Sequence, residues 1–491
     1  MKIRRVRDKV HRLFAVPPYV LSDFLNIDDL VMLRRTHPFF VSGKLCQVAS
    51  PIINIFGSEP SPTYIQFPKA KYVYPGPKSY NFHIKDPTIL SNITSANLSH
   101  SFIQPNELSQ MTNLISLRLN DCEFIKTIDI GLWLTKLVSL SLNSNSQING
   151  SALAKLICLR KLNLDNNTCI SDLDIESLPL ESLSLVGNYR ITDSIFRKLK
   201  LTQVGLSVGS PAATDEILRC TTITDLNLKG TNMDYICYIP TFAKMTNLRK
   251  LIAVDYYSTE DVFKYLTNLT YLELPYSGND RGIDVGIAGL PLLGTLVIDK
   301  IYDRYFPKVP LDSLSHLEIR GDRYKINLQF VRNLTFLDVG PGWINQELHD
   351  LKNLKKLVLR NVGYCCDISR LSELTSLTVL DDTSKHCVIN HSLFVSDSLQ
   401  SLCIHAYRCF MYGASFRAVP NLKYLSVCAL DVRIDSSSFN NLDKLFSIVV
   451  REHQVDKKLL ASLRKEGIMV RDSFYMGPGE PRYSDFFDKL A

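Results

Sequence analysis

Apolar residues recur along most of this chain in one fixed spacing, L-x-x-L-x-L, whose first, fourth and sixth positions are apolar. Four consecutive copies begin at Leu137, Leu159, Leu180 and Leu201. In the first three copies an asparagine follows three places after the last leucine, and an isoleucine follows three places later; these residues are Asn145, Asn167, Asn188, Ile148, Ile170 and Ile191. A fixed spacing of this kind is an internal repeat, and it predicts an array of similar units.

Each repeat is expected to form a short strand whose apolar side chains point inward. The asparagine would turn the chain out of the strand, and its amide can satisfy backbone groups of the neighbouring coils. The chain would then return along the outer face, where Leu156, Leu178 and Leu199 close the core. One unit cannot bury its own apolar face, so stability must come from contacts between stacked units.

The same spacing continues across residues 91–450 as 17 units, whose first positions lie 20 to 25 residues apart. These first positions are Ile93, Leu114, Leu137, Leu159, Leu180, Leu201, Ile223, Leu248, Leu269, Leu293, Leu314, Leu334, Leu354, Leu374, Leu399, Leu422 and Leu445. In later units the asparagine is replaced, for example by Thr231, Ser277, Asp322 and Tyr407. We therefore expect the later coils to stack with a less regular backbone ladder.

The pattern resembles the leucine-rich repeat family. Ile170-Ser171-Asp172 and Ile191-Thr192-Asp193 are similar to a step of its cysteine-containing subclass, which is common in substrate receptors of ubiquitin ligases. That subclass carries a cysteine at the asparagine position, and only Cys122 fits this here. The resemblance implies an α/β solenoid, a leucine-rich repeat horseshoe of about 17 units with a concave parallel sheet. It also implies binding and not catalysis.

Residues 16–48 are expected to form a small hairpin of short helices ahead of the repeats. Apolar residues follow Pro18 at helical spacing, and Asp28 or Asp29 can cap a second helix. The stretch resembles the F-box, the motif that attaches receptors to the adaptor of cullin-RING ubiquitin ligases. The resemblance assigns adaptor binding to Pro17, Val20, Leu21, Phe24, Leu25, Leu30, Leu33 and Phe39. The alternative is a plain helical cap of the solenoid.

The remaining segments are defined by composition. Residues 1–15 form a basic arm, either a nuclear-import or nucleic-acid patch or a solvated helix. Residues 49–90 are a proline-rich connector, in which residues 67–74 parallel residues 419–426 and predict a degenerate repeat. Residues 451–471 are a predicted C-terminal cap with a helix from Lys457 to Lys465, and residues 472–491 are a tail.

Charge and cysteine usage limit the partners and the compartment. The net charge is +7, but residues 1–12 carry +5 of it, so the repeats are not expected to bind nucleic acid by charge. No apolar run reaches the length of a membrane span, and no secretory signal is expected. The 12 cysteines are scattered, which favours free thiols in a reducing compartment. We expect a cytoplasmic protein, or a nuclear one through the basic arm.

Two candidate chemical motifs do not predict chemistry. Gly205-Leu206-Ser207-Val208-Gly209 matches the nucleophile pattern G-x-S-x-G, but its apolar residues occupy repeat positions, and the required strand, elbow and helix are not predicted. Cys365, Cys366, His386, Cys387 and His391 lack the paired spacing of zinc ligands. The sequence therefore predicts no catalytic residue, no cofactor and no metal site.

The residues between the leucines are expected to point outward, on the concave face. In early units they are small and polar, as at Ser116, Ser139, Ser141, Asn163, Ser182 and Ser184. Later units carry larger aromatic and charged residues, called here the outward patch: Tyr271, Glu273, His316, Glu318, Arg320, Phe336, Asp338, Lys356 and Arg360. Aromatic residues mixed with arginine favour recognition, although a solvated strand face can look alike.

Two functions follow from these observations. The first is an F-box receptor, which holds an unidentified target protein on its repeats and binds the ligase adaptor through residues 16–48, so that it acts by proximity. The alternative is a leucine-rich repeat interaction protein that binds a partner on the concave face without any role in ubiquitin transfer.

Overall fold

The structure is a computed structural model. It describes residues 30, 52–54, 70–74 and 84–472, except for gaps at 123–124, 208–209, 214–215, 218–219, 229–243, 254–264, 275–286, 299–308, 321–327, 341–347, 361–367, 390–394, 412–415, 417, 434–441 and 451–455. At 52, 54, 127–129, 349, 381–389, 406–411, 429–433 and 471–472 only the backbone is described. The chain divides into unit 1, Met1–Tyr235, and unit 2, Ile236–Ala491.

Unit 1 is built on parallel strands that pair in chain order. The strands are β1 (Ile52–Asn54), β2 (Lys71–Tyr74), β3 (Ile93–Asn97), β4 (Ser116–Arg118), β5 (Ser139–Ser141), β6 (Lys161–Asn163), β7 (Ser182–Leu185), β8 (Gln203–Leu206) and β9 (Asp225–Leu228). Short helices return the chain between strands: α1 (Pro87–Ser91), α2 (Pro105–Ser109), α3 (Thr127–Trp133) and α4 (Asp172–Ile175), with 3₁₀ turns at Gly150–Lys155 and Asp193–Arg197. This is the strand-and-return unit that the repeat predicts.

The predicted asparagine ladder is confirmed in unit 1. Asn167 is fully buried, and its Nδ2 donates to the carbonyl oxygens of Leu142 at 3.2 Å and Asn145 at 2.8 Å in the preceding coil. Its Oδ1 accepts the backbone N–H groups of Cys169 and Ile170 at 3.0 and 3.1 Å. Asn145 makes the same four bonds, and Asn188 makes three of them, with one from its Nδ2 to the carbonyl oxygen of Leu164. Each amide therefore satisfies backbone groups that would otherwise be buried without partners.

One residue before each ladder position the backbone is left-handed. The φ angle is positive at His100, Asp121, Ser144, Asn166 and Gly187, which lie one repeat apart. Most non-glycine residues avoid this region, whereas asparagine and aspartate tolerate it. Gly187 has a φ of +67°, so another residue there would be strained, and its Cβ would also displace the Asn166 side chain, whose Oδ1 would lie 2.1 Å away. The turn is thus a fixed feature of the repeat that the L-x-x-L-x-L spacing does not encode.

Strands β1 and β2 extend the sheet into the connector that was predicted to be mostly irregular. The degenerate repeat is a strand, and Tyr72 pairs with Ile93 of β3. Its phase differs from that of the later units, because Tyr72 and Tyr74 are buried while Val73 is half-buried. The register shift between Tyr72 and Val73 accounts for this difference, since a shift of one residue exchanges the two faces of a strand.

Unit 2 also has parallel strands that pair in chain order. They are β10 (Lys250–Ala253), β11 (Tyr271–Leu274), β12 (Thr295–Ile298), β13 (His316–Ile319), β14 (Phe336–Val339), β15 (Lys356–Arg360), β16 (Ser376–Ile389), β17 (Ser401–Met411), β18 (Tyr424–Arg433), β19 (Ser447–Val450) and β20 (Met469–Asp472). Short 3₁₀ turns lie at Leu328–Phe330 and Leu348–Asp350. Strands β16 to β18 are longer than the repeat spacing predicts.

The C-terminal cap agrees with its sequence signals. Helix α5 (Lys457–Lys465) begins after Asp456, whose Oδ1 accepts the Lys458 N–H at 2.9 Å. It ends before Gly467, where φ is +84°. The buried face of α5 consists of Leu459, Leu460 and Leu463. An atypical last unit of this kind covers the apolar end of a repeat array.

The core follows the first, fourth and sixth repeat positions. All 17 predicted first positions are buried, the most exposed being Leu445 at 7%. Removing one such leucine side chain to alanine costs about 2–5 kcal/mol. With parallel strands, a common spacing and a buried ladder, the fold is a leucine-rich repeat solenoid.

Most residues of the predicted F-box-like module lie outside the described residues. Leu30 is the exception, since it is helical and fully buried. The structure does not describe Pro17, Val20, Leu21, Phe24, Leu25, Leu33 and Phe39, nor the basic arm and residues 473–491 of the tail.

Candidate partner-binding face

The structure places the outward patch on one sheet face of unit 2, away from the leucine core. Strand register aligns the third repeat positions in one row, in which Tyr271, Thr295, His316, Phe336 and Lys356 are neighbours in that order. The fifth positions form a second row beside it, and this row contains Glu273, Val297, Glu318, Asp338 and Val358. Residues up to 89 positions apart in sequence, from Tyr271 to Arg360, thus share one surface.

Arg320 joins the two glutamates of the fifth-position row. Its Nη1 donates to Glu273 Oε1 at 3.2 Å, across a separation of 47 residues. Its Nε and Nη2 donate to Glu318 Oε2 at 3.2 and 2.9 Å. Glu273 is only 5% exposed, so the guanidinium compensates a carboxylate that would otherwise be buried at considerable cost. Glu273 therefore acts mainly by holding Arg320 in place.

His316 contacts both Glu318 of the fifth-position row and the ring of Phe336. Its Nε2 lies 3.1 Å from Glu318 Oε1, and because an ionised carboxylate only accepts, the histidine nitrogen is the donor. The His316 ring stacks on Phe336, with centroids 3.9 Å apart and planes within 2°. Hydrogen bonds from His316 and Arg320 lower the pKa of Glu318 to about 2, so this carboxylate stays ionised at neutral pH.

Tyr271 is held in a comparable way on strand β11. Its hydroxyl donates to Glu273 Oε2 at 2.8 Å. The ammonium of Lys250 lies 4.5 Å from the centre of its ring, a cation–π contact. Burial, followed by the hydrogen bond to Glu273, raises the pKa of Tyr271 well above its usual range, so the phenol remains a neutral donor.

Asp338 and Arg360 form a separate bidentate pair. Arg360 Nε donates to Asp338 Oδ1 at 2.7 Å, and its Nη2 donates to Oδ2 at 2.5 Å. The side chain of Asp338 is 4% exposed, whereas that of Arg360 is 20% exposed. The hydrogen bonds to Asp338 raise the pKa of Arg360. Arg360 is thus the part of this pair that a partner can reach.

The acidic residues of the patch are therefore engaged by its own cations, and two of them are buried. What the face offers outward is aromatic rings and arginine planes fixed by hydrogen bonds. Rigid aromatic and arginine side chains are the types that dominate interface energies. The arrangement can bind a partner by surface complementarity, with a net charge close to neutral.

Sequence reasoning missed three residues of this face. Lys250 supports the ring of Tyr271, and Thr295 and Val297 lie between the two charged strands β11 and β13. Lys250 and Thr295 occupy the same third repeat position as Tyr271 and His316. Listing the third position of each repeat unit would have identified Lys250 and Thr295.

The corresponding face of unit 1 is different in chemistry. Ser184 Oγ donates to Asp165 Oδ1 at 2.7 Å, and Ser141 Oγ donates to Asn120 Oδ1 at 2.8 Å. These short serine side chains bond to residues just beyond the ends of the preceding strands. Unit 1 thus carries the more regular repeats and the less distinctive surface.

The serine of the G-x-S-x-G match has a structural contact. Ser207 is fully buried, and its Oγ accepts the Gly187 N–H at 2.9 Å. Val204 and Leu206 are buried core residues of β8. The Ser207 hydroxyl thus stabilises the turn at Gly187 in the preceding repeat.

The other chemical motifs are only partly within the described residues. Cys365, Cys366 and His391 lie outside them, and His386 and Cys387 are described by backbone alone. Among the residues that the structure describes, no cluster of three or more histidine, cysteine or acidic side chains could hold a metal ion. The cysteines whose side chains are described are free thiols. In the same described part, no helix has the length and apolarity needed to cross a membrane.

Comparison with known proteins finds similarity in structure and none in sequence. No protein-family model matches the chain, and the search of curated proteins found no match. An internalin of Listeria monocytogenes aligns at 18% identity with TM-score 0.36, covering 72% of this chain and 91% of that one. A leucine-rich repeat protein of Leptospira interrogans aligns at 20% identity with TM-score 0.38, covering 67% and 87%.

TLR13, in its complex with the RNA ssRNA13, aligns at 17% identity with TM-score 0.48. The alignment covers 82% of this chain but only 61% of TLR13. All three TM-scores are below 0.5, so the fold assignment depends on the repeat geometry of this chain itself. That geometry makes the chain a leucine-rich repeat protein by fold.

Proposed function

We propose that this protein is a binding scaffold that holds a protein partner on the outward patch of unit 2. One observation carries the proposal: the patch is a row of aromatic side chains whose orientations are fixed by hydrogen bonds and stacking. Side chains that are already ordered lose little conformational entropy on binding. The carboxylates of the patch are paired with its own arginines and the face is close to neutral, so it lacks the basic character that binds a phosphate backbone, and a protein partner is favoured over nucleic acid.

Affinity capture with the full chain tests this proposal. The wild-type protein is compared with Phe336→Asp, which places a charge in the aromatic row. The matched control is Ser139→Asp, at the third repeat position of β5 in unit 1. Partners that need the patch are lost with Phe336→Asp and retained with Ser139→Asp, as measured by quantitative mass spectrometry.

The purified partner then gives the magnitude. Truncating a central aromatic residue of an interface costs about 2 kcal/mol or more, so Phe336→Ala should weaken the affinity about 30-fold. If Phe336→Asp and Ser139→Asp retain the same proteins, the patch is not the binding surface.

The finer proposal is that the scaffold is a substrate receptor of a cullin-RING ubiquitin ligase. It is supported by the resemblance of residues 16–48 to the F-box. Phe24 and Leu25 would insert into the adaptor, and the repeats would bring the target close to the ligase. The alternative is a scaffold that binds its partner without ubiquitin transfer.

Co-purification with the adaptor separates these two functions. The full chain should retain the adaptor, and the double variant Phe24→Asp/Leu25→Asp should lose it. The control Ser139→Asp should behave like the wild type. An intact chain that does not bind the adaptor would leave only the scaffold without ubiquitin transfer.

A further inference from the structure

Two aromatic side chains of the outward patch, called here the walls, flank strand β12, and the space between them is called here the slot. Tyr271 and His316 are both third-position residues, and Thr295 lies between them on strand β12. Adjacent strands are about 4.8 Å apart, so the two aromatic residues start roughly 10 Å apart. His316 and Phe336 stack at 3.9 Å. A further ring that stacked on both walls at this spacing would therefore fit between them, over Thr295.

Both walls are supported from outside the slot. Lys250, on β10, lies against the Tyr271 ring, and Phe336, on β14, covers one face of His316. Each wall also donates a hydrogen bond to the glutamate on its own strand, Tyr271 to Glu273 and His316 to Glu318. These contacts restrict the orientation of both rings. The slot is thus preorganised for a planar group.

One end of the slot is polar. Arg320 bonds to Glu273 on β11 and to Glu318 on β13, so its guanidinium crosses β12 near Val297. Val297 is covered and only 1% exposed, whereas Thr295 is half-buried. The opening therefore lies over Thr295, and donor and acceptor groups stand about 7 Å further along the strand. That span is comparable to the long axis of a tyrosine side chain.

We propose that this slot receives a tyrosine side chain of the protein partner. The ring would stack between Tyr271 and His316, and its hydroxyl would meet Arg320 and the two glutamates. A phenol both donates and accepts hydrogen bonds, which matches this mixed end. Phenylalanine offers neither function. A nucleotide would bring its phosphate close to Glu273 and Glu318.

This inference deepens the proposed function and rests on it for the identity of the partner. A simple probe tests it directly, because the slot is formed by this chain alone. The probe is N-acetyl-tyrosinamide, titrated into the full-length protein and followed by saturation-transfer NMR. Ligands of this size bind with a dissociation constant on the order of 1 mM. N-acetyl-phenylalaninamide should bind about fivefold more weakly, because it lacks the hydroxyl, and N-acetyl-leucinamide at least tenfold more weakly.

Matched variants locate the probe. Thr295→Phe fills the slot with its own ring and should abolish binding, while the thermal midpoint stays within a few degrees of the wild type. Ser376→Phe is the control, since Ser376 has the same repeat position but lies between Lys356 and Ser401. It should bind the probe as the wild type does. If Thr295→Phe fails to fold, Thr295→Leu takes its place.

Several results would overturn the proposal that the slot binds a tyrosine side chain. These are unchanged binding in Thr295→Phe, equal loss in both variants, equal binding of the leucine amide, and tighter binding of adenosine monophosphate. If N-acetyl-tyrosinamide does not bind but Phe336→Asp still loses the partner, the tyrosine slot is rejected and the proposed function stands. If the probe behaves as expected while Phe336→Asp retains every partner, the proposed function fails and the slot is a site for small ligands.

Discussion

The buried pair of Asp338 and Arg360 gives the sharpest test of how the outward patch is held together. Asp338 is 4% exposed, and its contacts with Arg360 are bidentate. The chain itself provides apolar replacements for both positions. Val358 occupies the fifth position on the next strand, and Leu380 is the register partner of Arg360. The variants are therefore Arg360→Leu, Asp338→Val and the double variant.

The two single variants should have unequal effects. Arg360→Leu leaves a buried carboxylate without its cation, which costs about 3–5 kcal/mol. Asp338→Val leaves an arginine that is already 20% exposed and can turn towards water, so we expect a cost of about 1 kcal/mol. Replacing both partners by apolar residues is often neutral, so the double variant should lie within about 1 kcal/mol of the wild type. The two single costs together are about 4–6 kcal/mol, so the coupling energy should be about 3–7 kcal/mol.

Urea unfolding measures these differences if the signal reports on unit 2. The chain has 2 tryptophans, Trp133 in unit 1 and Trp343 in unit 2. In a Trp133→Phe background the fluorescence comes from Trp343, and the midpoint and slope of its transition give the free energy of unfolding. A double variant as unstable as Arg360→Leu would refute the reasoning, and so would a cost below about 1 kcal/mol for Arg360→Leu.

Three further predictions concern stability. Asn167→Ala removes an amide that satisfies four backbone groups, so it should destabilise unit 1 by about 2–4 kcal/mol in urea unfolding. A loss of stability as small as that caused by replacing an exposed serine with alanine would contradict the ladder. The pKa of Glu318 is lower in the folded state, so its stabilising contribution is complete above about pH 4.5 and is lost as the pH falls towards 2. Glu318→Gln should flatten this part of the curve of unfolding free energy against pH. An unchanged slope would count against the contacts of Glu318 with His316 and Arg320. Gly467→Ala has space for a methyl group but a φ of +84°, so it should cost about 1 kcal/mol in thermal unfolding, and a neutral result would show that this backbone relaxes.

The sequence predicted the core well because its signal is periodic. Leucines at the first repeat position stay buried in both units, and the Nδ2 of Asn167 donates to the coil before it, as the repeat predicts. The cap was also predictable, since Asp456 and Gly467 mark the two ends of its helix by local chemistry.

The patch was predictable in composition but not in its pairing. The bond between Arg320 and Glu273 depends on how strands 47 residues apart stack, and the repeat spacing does not contain that information. The same holds for the stack of His316 on Phe336, which depends on strand register. The burial of Glu273 was missed because outward positions were equated with solvent exposure.

A second ladder was missed although the sequence carries its signal. Asparagines directly before the first repeat position donate to a carbonyl of the preceding coil, as Asn113 does to Ser91 and Asn268 to Thr246. Asn333 bonds in the same way to Asp312. The recurring dipeptide Asn-Leu marks these positions, and it could have been read as part of the repeat.

Site-specific photo-cross-linking tests the central claim, that a partner binds the outward patch of unit 2, most directly. A benzoylphenylalanine placed at Lys356, beside Phe336 in the third-position row, should form a covalent adduct with the bound partner. The same group at Ser139 of unit 1 should form none. An adduct at Ser139 without one at Lys356, in a complex that is otherwise intact, would contradict the account.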